Sequence, residues 1–217
     1  MYRMRLISLM SVAVAALGVA FIAGPAAAAS NYTTACTTNA NPCTTANQYP
    51  SGTVFTGALK PGTSALLTNS LDNVTCNNST VALTNTAQTG TPLPGQGTAL
   101  TFTNCSDALS NSCTVTTSGF PYNGDINASG LGDGNGVLTV NNVTVHVVCS
   151  FYVNCTFTAP SAGISGNLTG GNPATLQFTN APVNHSGGVV CPSTANFSAT
   201  YLTSGTNQAV WVETPSP

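Results

Sequence analysis

The sequence predicts an all-β fold, an antiparallel β-sandwich or barrel-like structure stabilised by disulfides and preceded by an N-terminal signal helix. Three observations carry this. Short runs of alternating apolar and polar residues follow one another, with glycine, proline or asparagine in nearly every gap. No segment beyond the leader keeps an apolar repeat of helical period over three turns. All eight cysteines lie after residue 29, an even set of the kind that forms disulfides in exported chains.

The leader comes first. Arg3 and Arg5 open a segment that is apolar from Leu6 to Ile22, breaks at Gly24-Pro25 and ends in Ala27-x-Ala29. A basic start, an apolar stretch too short for a stop-transfer helix and small residues before the cut describe a secretory signal peptide over residues 1–29. The two arginines are not adjacent, so a twin-arginine route is not supported. Behind the leader we expect an N-terminal arm over residues 30–62, a β domain over 63–213 as one unit or two related halves, and a flexible tail over 214–217. Roughly 190 residues suffice to bury one sizeable core.

The arm carries Asn41-Pro42, Tyr49-Pro50, Ser51-Gly52 and Lys60-Pro61-Gly62 without sustained alternation, and Cys36 and Cys43 staple it. Strands are then predicted at Ala65–Leu67, Val74–Cys76, Val81–Leu83, Ala99–Thr103, Cys113–Thr117, Val137–Val140 and Val143–Val148. Five more follow at Tyr152–Thr158, Ile164–Leu168, Ala174–Phe178, Phe197–Leu202 and Ala209–Val212. The apolar positions Leu138 and Val140 are even, whereas Val143, Val145 and Val147 are odd. A two-residue hairpin at Asn141-Asn142, or a bulge there, returns both sets to one core, and asparagine tolerates the positive φ required. An internal repeat also shows: Val74-x-Cys76 precedes Leu100-x-Phe102-Thr103-Asn104-Cys105, and Val153-x-Cys155 precedes Leu176-x-Phe178-Thr179-Asn180 and then Cys191.

Charge excludes one class. After the leader the charged side chains are Lys60, Asp72, Asp107, Asp125, Asp133 and Glu213. A nucleic-acid binder needs several cations to displace counterions from phosphates, and one lysine does not supply them. No further run approaches the ~18 apolar residues of a spanning helix, so no membrane anchor is expected once the signal is cleaved. Solubility rests on neutral Thr, Asn, Ser and Gly surfaces, and partners are found by contact rather than by long-range steering.

The cysteines are Cys36, Cys43, Cys76, Cys105, Cys113, Cys149, Cys155 and Cys191. Zinc ligation is disfavoured, since no Cys-x-x-Cys pair occurs and neither His146 nor His185 has a cysteine at ligand spacing. Two disulfide maps stand open. The two-half layout joins Cys76 with Cys105 and Cys155 with Cys191, leaving Cys36 with Cys43 and Cys113 with Cys149. The rival joins Cys105 with Cys113 and Cys149 with Cys155, leaving Cys76 for Cys191.

Asp125, Asn127, Ser129 and Asp133 set oxygens at positions one, three, five and nine of a loop, with Gly130 at six, like the first half of a calcium loop. Position twelve is Gly136 where a bidentate glutamate is needed, so a glycine-rich hairpin is preferred over a metal site. No serine sits in a Gly-x-Ser-x-Gly elbow, and His146, alternating with valines, reads as a structural imidazole. Asn-x-Ser/Thr triplets such as Asn73-Val74-Thr75 follow from an Asn- and Thr-rich composition. Phe120 and Tyr122 are the candidates for stacking on a ligand, while Trp211 on a short alternating strand reads as core. No catalytic residue, cofactor or metal is assigned.

The cysteine contexts Phe102-Thr103-Asn104-Cys105, Cys113-Thr114-Val115-Thr116, Asn154-Cys155-Thr156-Phe157 and Cys191-Pro192-Ser193-Thr194-Ala195, with Phe120-Pro121-Tyr122 and Ala199-Thr200-Tyr201, carry a resemblance. They resemble a loose group of small secreted actinobacterial proteins of uncharacterised function, over roughly residues 60–213. Leu-Pro-Trp often stands in that group where this chain has Phe120-Pro121-Tyr122. The resemblance implies a Gram-positive extracellular setting and supplies no catalytic residue. No sorting signal is recognised, so release or non-covalent wall association is expected. The expected function is a secreted structural or binding module without catalytic activity, with cell-wall glycan or surface proteins as partners. A secreted hydrolase with an unrecognised Ser-His-Asp site and an apolar-ligand carrier are the alternatives.

Overall fold

The computed structural model describes residues 32–70, 72–130, 132–149, 153–189 and 191–214. The signal helix, Tyr152 and residues 215–217 of the tail lie outside the described residues. The strands are β1 (Thr33–Cys36), β2 (Val54–Leu59), β3 (Ala65–Thr68), β4 (Asn73–Asn85), β5 (Thr89–Gly90), β6 (Leu93–Ser106), β7 (Ser112–Ser118) and β8 (Tyr122–Ala128). They continue with β9 (Gly136–Val140), β10 (Thr144–Cys149), β11 (Val153–Thr158), β12 (Ile164–Thr169), β13 (Thr175–Val189), β14 (Thr194–Ser204) and β15 (Trp211–Glu213). The all-β antiparallel expectation is met.

Four strands, β4, β6, β13 and β14, run the full height of the sheet. The others come as consecutive pairs sharing one course, β2 with β3, β7 with β8, β9 with β10 and β11 with β12. Taken as single bent strands, these follow chain order around a ring, each antiparallel to the next. The last, β14, returns to bond both β2 and β3. The molecule is an eight-stranded up-and-down barrel, and closure removes the free edges an open sheet would expose.

Two seams interrupt the hydrogen bonding. On one side β6 bonds β8 through Leu93–Gly97 and β7 through Cys105 and Ser106, leaving 98–104 outside any ladder on that flank. On the other, β13 bonds β12 through Thr175–Gln177 and β11 from Asn184 onward, leaving 178–183 likewise. Each seam holds one copy of Leu-x-Phe-Thr-Asn. Asn104 and Asn180 are both left-handed, at φ 54 and 49, a conformation asparagine tolerates better than most L-residues. Each such residue shifts the inward phase by one. Leu100 and Phe102 are therefore followed inward by Cys105, and Leu176 and Phe178 by Ala181.

Asn142 is left-handed as well, at φ 63, but no hairpin forms there. β9 lies between β8 and β12, while β10 lies between β7 and β11. The bulge alternative describes the site: a bend within one bent strand keeps Leu138, Val140, Val143 and Val147 all in the core. Two further expectations are corrected. Val54–Leu59, placed in the arm, is barrel strand β2, bonded to β4 and β14. Val74–Cys76 and Val81–Leu83 are two stretches of the single strand β4.

The disulfides are Cys36–Cys43, Cys76–Cys105, Cys113–Cys149 and Cys155–Cys191. This is the map suggested by the two-half layout. Cys105 and Cys113 are register partners across β6 and β7 yet bond outward, to Cys76 and Cys149. The two bridges so formed tie neighbouring strands at the rim end of the barrel.

The opposite end carries a cap. β1 lies between β15 and β5 in a separate three-stranded sheet. Tyr49 seals its margin, with its ring edge-on to Phe55 at 4.9 Å and its hydroxyl donating to the Ala209 carbonyl at 2.7 Å.

Candidate functional site

Alternation along every barrel strand sends one set of side chains into the lumen. The inward set is apolar, and it does not fill the space. The chamber toward the rim has a volume of about 90 Å³ and is walled by residues such as Phe102, Val115, Val147, Phe157 and Phe178. The chamber toward the cap has about 70 Å³ and adds Ala35, Phe55, Val210 and Val212. Val81, Leu83, Leu138, Leu176 and Tyr201 border both chambers and form a waist between them.

The waist holds a buried polar contact. Tyr201 is 2% exposed, and its hydroxyl lies 2.9 Å from Ser79 Oγ. Burial pushes the Tyr201 phenol up to about 12, against the opposing pull of the Ser79 hydrogen bond. Tyr122 is the second lumen phenol. Burial raises it too, and its hydroxyl donates to the Thr144 carbonyl at 3.4 Å.

An apolar void of this kind stays dry and accepts apolar guests. The larger chamber would hold roughly six waters at about 15 Å³ each. As it stands it takes a molecule of a few heavy atoms, because a void of about 150 Å³ is what admits benzene. The seams differ as routes in. Phe178, Ala181 and Val183 are buried at the β13 seam, whereas Leu100, Phe102 and Val115 beside the β6 seam are half-buried. One side-chain bond, from Thr117 Oγ1 to the Leu100 carbonyl at 2.7 Å, reaches across that gap.

The residues singled out by sequence fall elsewhere. Tyr122 does not serve as a surface stacking residue: at 2% exposure it belongs to the lumen, leaving Phe120 at 38% outside, its ring 4.4 Å from that of Tyr122. Asp125 and Asn127 lie in β8, extended between β6 and β9, so they cannot curl around a cation as a loop would. Ser129 donates to Asp133 Oδ2 at 2.8 Å, and the Asn135 amide donates to Asp133 Oδ1 at 2.9 Å, closing the hairpin. His146 Nε2 sits 2.7 Å from Asn154 Oδ1, and His185 Nε2 donates to the Gly187 carbonyl at 2.8 Å. Among the described residues neither ring bonds to a serine or a carboxylate. Trp211 is half-buried, its ring laid against Gly134 and Gly170, where an added Cβ would come within 2.5 Å of Cδ1.

Sequence reasoning missed the Ser79–Tyr201 pair and the lumen itself. Ser79 stands in Asn77-Asn78-Ser79-Thr80, which reads as a polar edge, and only ring closure turns its side chain inward. No family model matches the chain, and no characterised protein or solved structure matches it either.

Proposed function

We propose that this chain acts outside the cell as a non-catalytic binding module that takes a small apolar molecule into the barrel lumen. The carrying observation is the two-chambered void, whose rim-side wall is apolar apart from its two tyrosines, while Thr56, Thr84, Asn85, Gln96 and Thr203 join the apolar lining toward the cap. Eight-stranded barrels have an interior just wide enough to be filled by side chains or to hold one small ligand, and here the side chains leave space. Fold alone does not assign function, so the argument rests on the chemistry of the void. The extracellular setting is supported by the leader sequence, by the actinobacterial resemblance and by four disulfides, which persist in oxidising compartments. Among the described residues no helix is long and apolar enough to cross a membrane.

Xenon under pressure is the probe for the chambers as they stand, read by NMR of methyl groups. Shifts are expected at Val81, Leu83, Leu138 and Leu176, and Val81→Phe should diminish them by filling the waist. If surface methyls move while those four stay still, the lumen is not a binding site.

A further inference from the structure

Glu213 is fully buried, at 0% exposure, and neither of its carboxylate oxygens makes a hydrogen bond. Its surroundings make this more than a packing detail. In register opposite Thr34 on β1, it faces the turn at Gly132-Asp133-Gly134, with the Gly132 amide and the Asp133 carboxylate as its polar neighbours. Asn41 packs against Gly132 through its amide nitrogen, Nδ2 lying 2.5 Å from a Cβ placed there, and Asn39 Oδ1 would lie 3.3 Å from a Cβ on Gly134. Ser129 is hydrogen-bonded to Asp133. Oxygen-bearing side chains from the Cys36–Cys43 loop, the β8–β9 hairpin and β15 thus converge on one turn, with the Trp211 ring against the turn at Gly134.

Charge balance is the difficulty. Burial pushes the Glu213 carboxyl upward, and Asp133 beside it pushes the same way, opposed only by the Gly132 amide. The one cationic side chain among the described residues, Lys60, sits exposed at the bend between β2 and β3. An unpaired buried carboxylate is costly, so something from solution has to neutralise it. Two carboxylates with neutral amide and hydroxyl oxygens form a hard donor set, and calcium takes such oxygens with more tolerance of irregular geometry than magnesium.

We propose that Glu213, Asp133 and the neutral oxygens of Ser129 and Asn39 form a calcium site that fastens the cap to the barrel. It differs from the loop expected over Asp125–Asp133, since Asp125 and Asn127 are held in β8 and contribute no ligand.

Terbium luminescence tests this on the full chain without its leader, because Trp211, the only tryptophan, lies at the turn and can sensitise the ion. Excitation of Trp211 should give terbium emission that calcium displaces. The emission should be lost in Asp133→Asn and Glu213→Gln and kept in Asp125→Asn. Calcium should also raise the melting temperature of the wild type and not that of Asp133→Asn, an exposed position whose replacement keeps shape. Absence of sensitised emission from the wild type overturns the proposal, whatever the variants do. Emission that survives both Asp133→Asn and Glu213→Gln overturns it too, as does a melting temperature indifferent to calcium that rises on acidification, which would mark a proton as the neutralising species.

Discussion

The Tyr201–Ser79 contact at the barrel waist allows a test of how dry the lumen is. Removing the phenol oxygen in Tyr201→Phe leaves the Ser79 hydroxyl without a partner in an apolar wall, and Ser79→Ala orphans the phenol in the same way. With Tyr201 at 2% and Ser79 at 3% exposure, each single change should cost about 1–3 kcal/mol, the desolvation penalty of an unpaired hydroxyl. The double variant removes both groups and should cost distinctly less than the two single losses combined, the signature of a buried pair in a double-mutant cycle. Alkaline pH gives a second reading of the same contact. The native phenol is raised to about 12, above its unfolded value of about 10. Its contribution is therefore fully present below the unfolded value and lost as pH rises through the folded one, about 2–3 kcal/mol in all at 1.36 kcal/mol per unit. Tyr201→Phe should lack that component of the decline. Urea unfolding of the four proteins at neutral and alkaline pH measures both effects. Additive single losses of a few tenths of a kcal/mol would mean that water reaches the waist, and the dry-lumen argument would fail.

Two further outcomes follow from the rim. Cys113–Cys149 closes a sequence separation of 36 against 7 for Cys36–Cys43, so its loss should cost more, roughly 4 against 2.4 kcal/mol if the effect acts through the unfolded chain. Urea denaturation of Cys113→Ala/Cys149→Ala and Cys36→Ala/Cys43→Ala compares them, and the reverse order would refute that account. Asp107 accepts hydrogen bonds from Asn111 Nδ2, the Asn111 amide and the Leu109 amide, and the Asn111 side chain leads in holding its carboxyl below the usual range. Its contribution is present above the unfolded value and lost as pH falls through the folded one, so Asp107→Asn should flatten the acid limb of a melting-temperature profile.

The sequence made some of this legible and hid the rest for physical reasons. Alternation marks strands wherever one face is apolar, which is why Val143–Val148 and Ile164–Leu168 could be read directly. The parity change at Asn141-Asn142 was visible, but hairpin and bend satisfy it equally, and only the partners of β9 and β10 separate them. Val54–Leu59 escaped notice because Gly57 lies at its centre, packed 3.6 Å from the Tyr201 Cβ when given a Cβ, so the inward position shows no apolar side chain. The strand in Tyr122–Ala128 was hidden by Asn123, Asp125 and Asn127, whose oxygens suggest a metal loop. The lumen left no local trace, since a void is the difference between ring circumference and side-chain volume. Glu213 looked like any glutamate near a chain end; its burial comes from the loops at Asn41 and Gly132, distant in sequence.

The pairing of β1 with β15 also sets how the molecule answers to tension. Thr34 stands opposite Glu213, and Cys36 opposite Trp211, so whatever precedes β1 and follows β15 leaves from neighbouring points on one side. A pull between those points loads the ladder end-on. Its register pairs separate singly and in order, as in a zipper, rather than sharing the load as they would in shear. Of the barrel strands β8 shares the load early, through the Ala128 amide that donates to Thr33 Oγ1, and the cap is the floor of the 70 Å³ chamber. Stretching the chain therefore opens the lumen from below while the disulfides at the rim hold the ring closed.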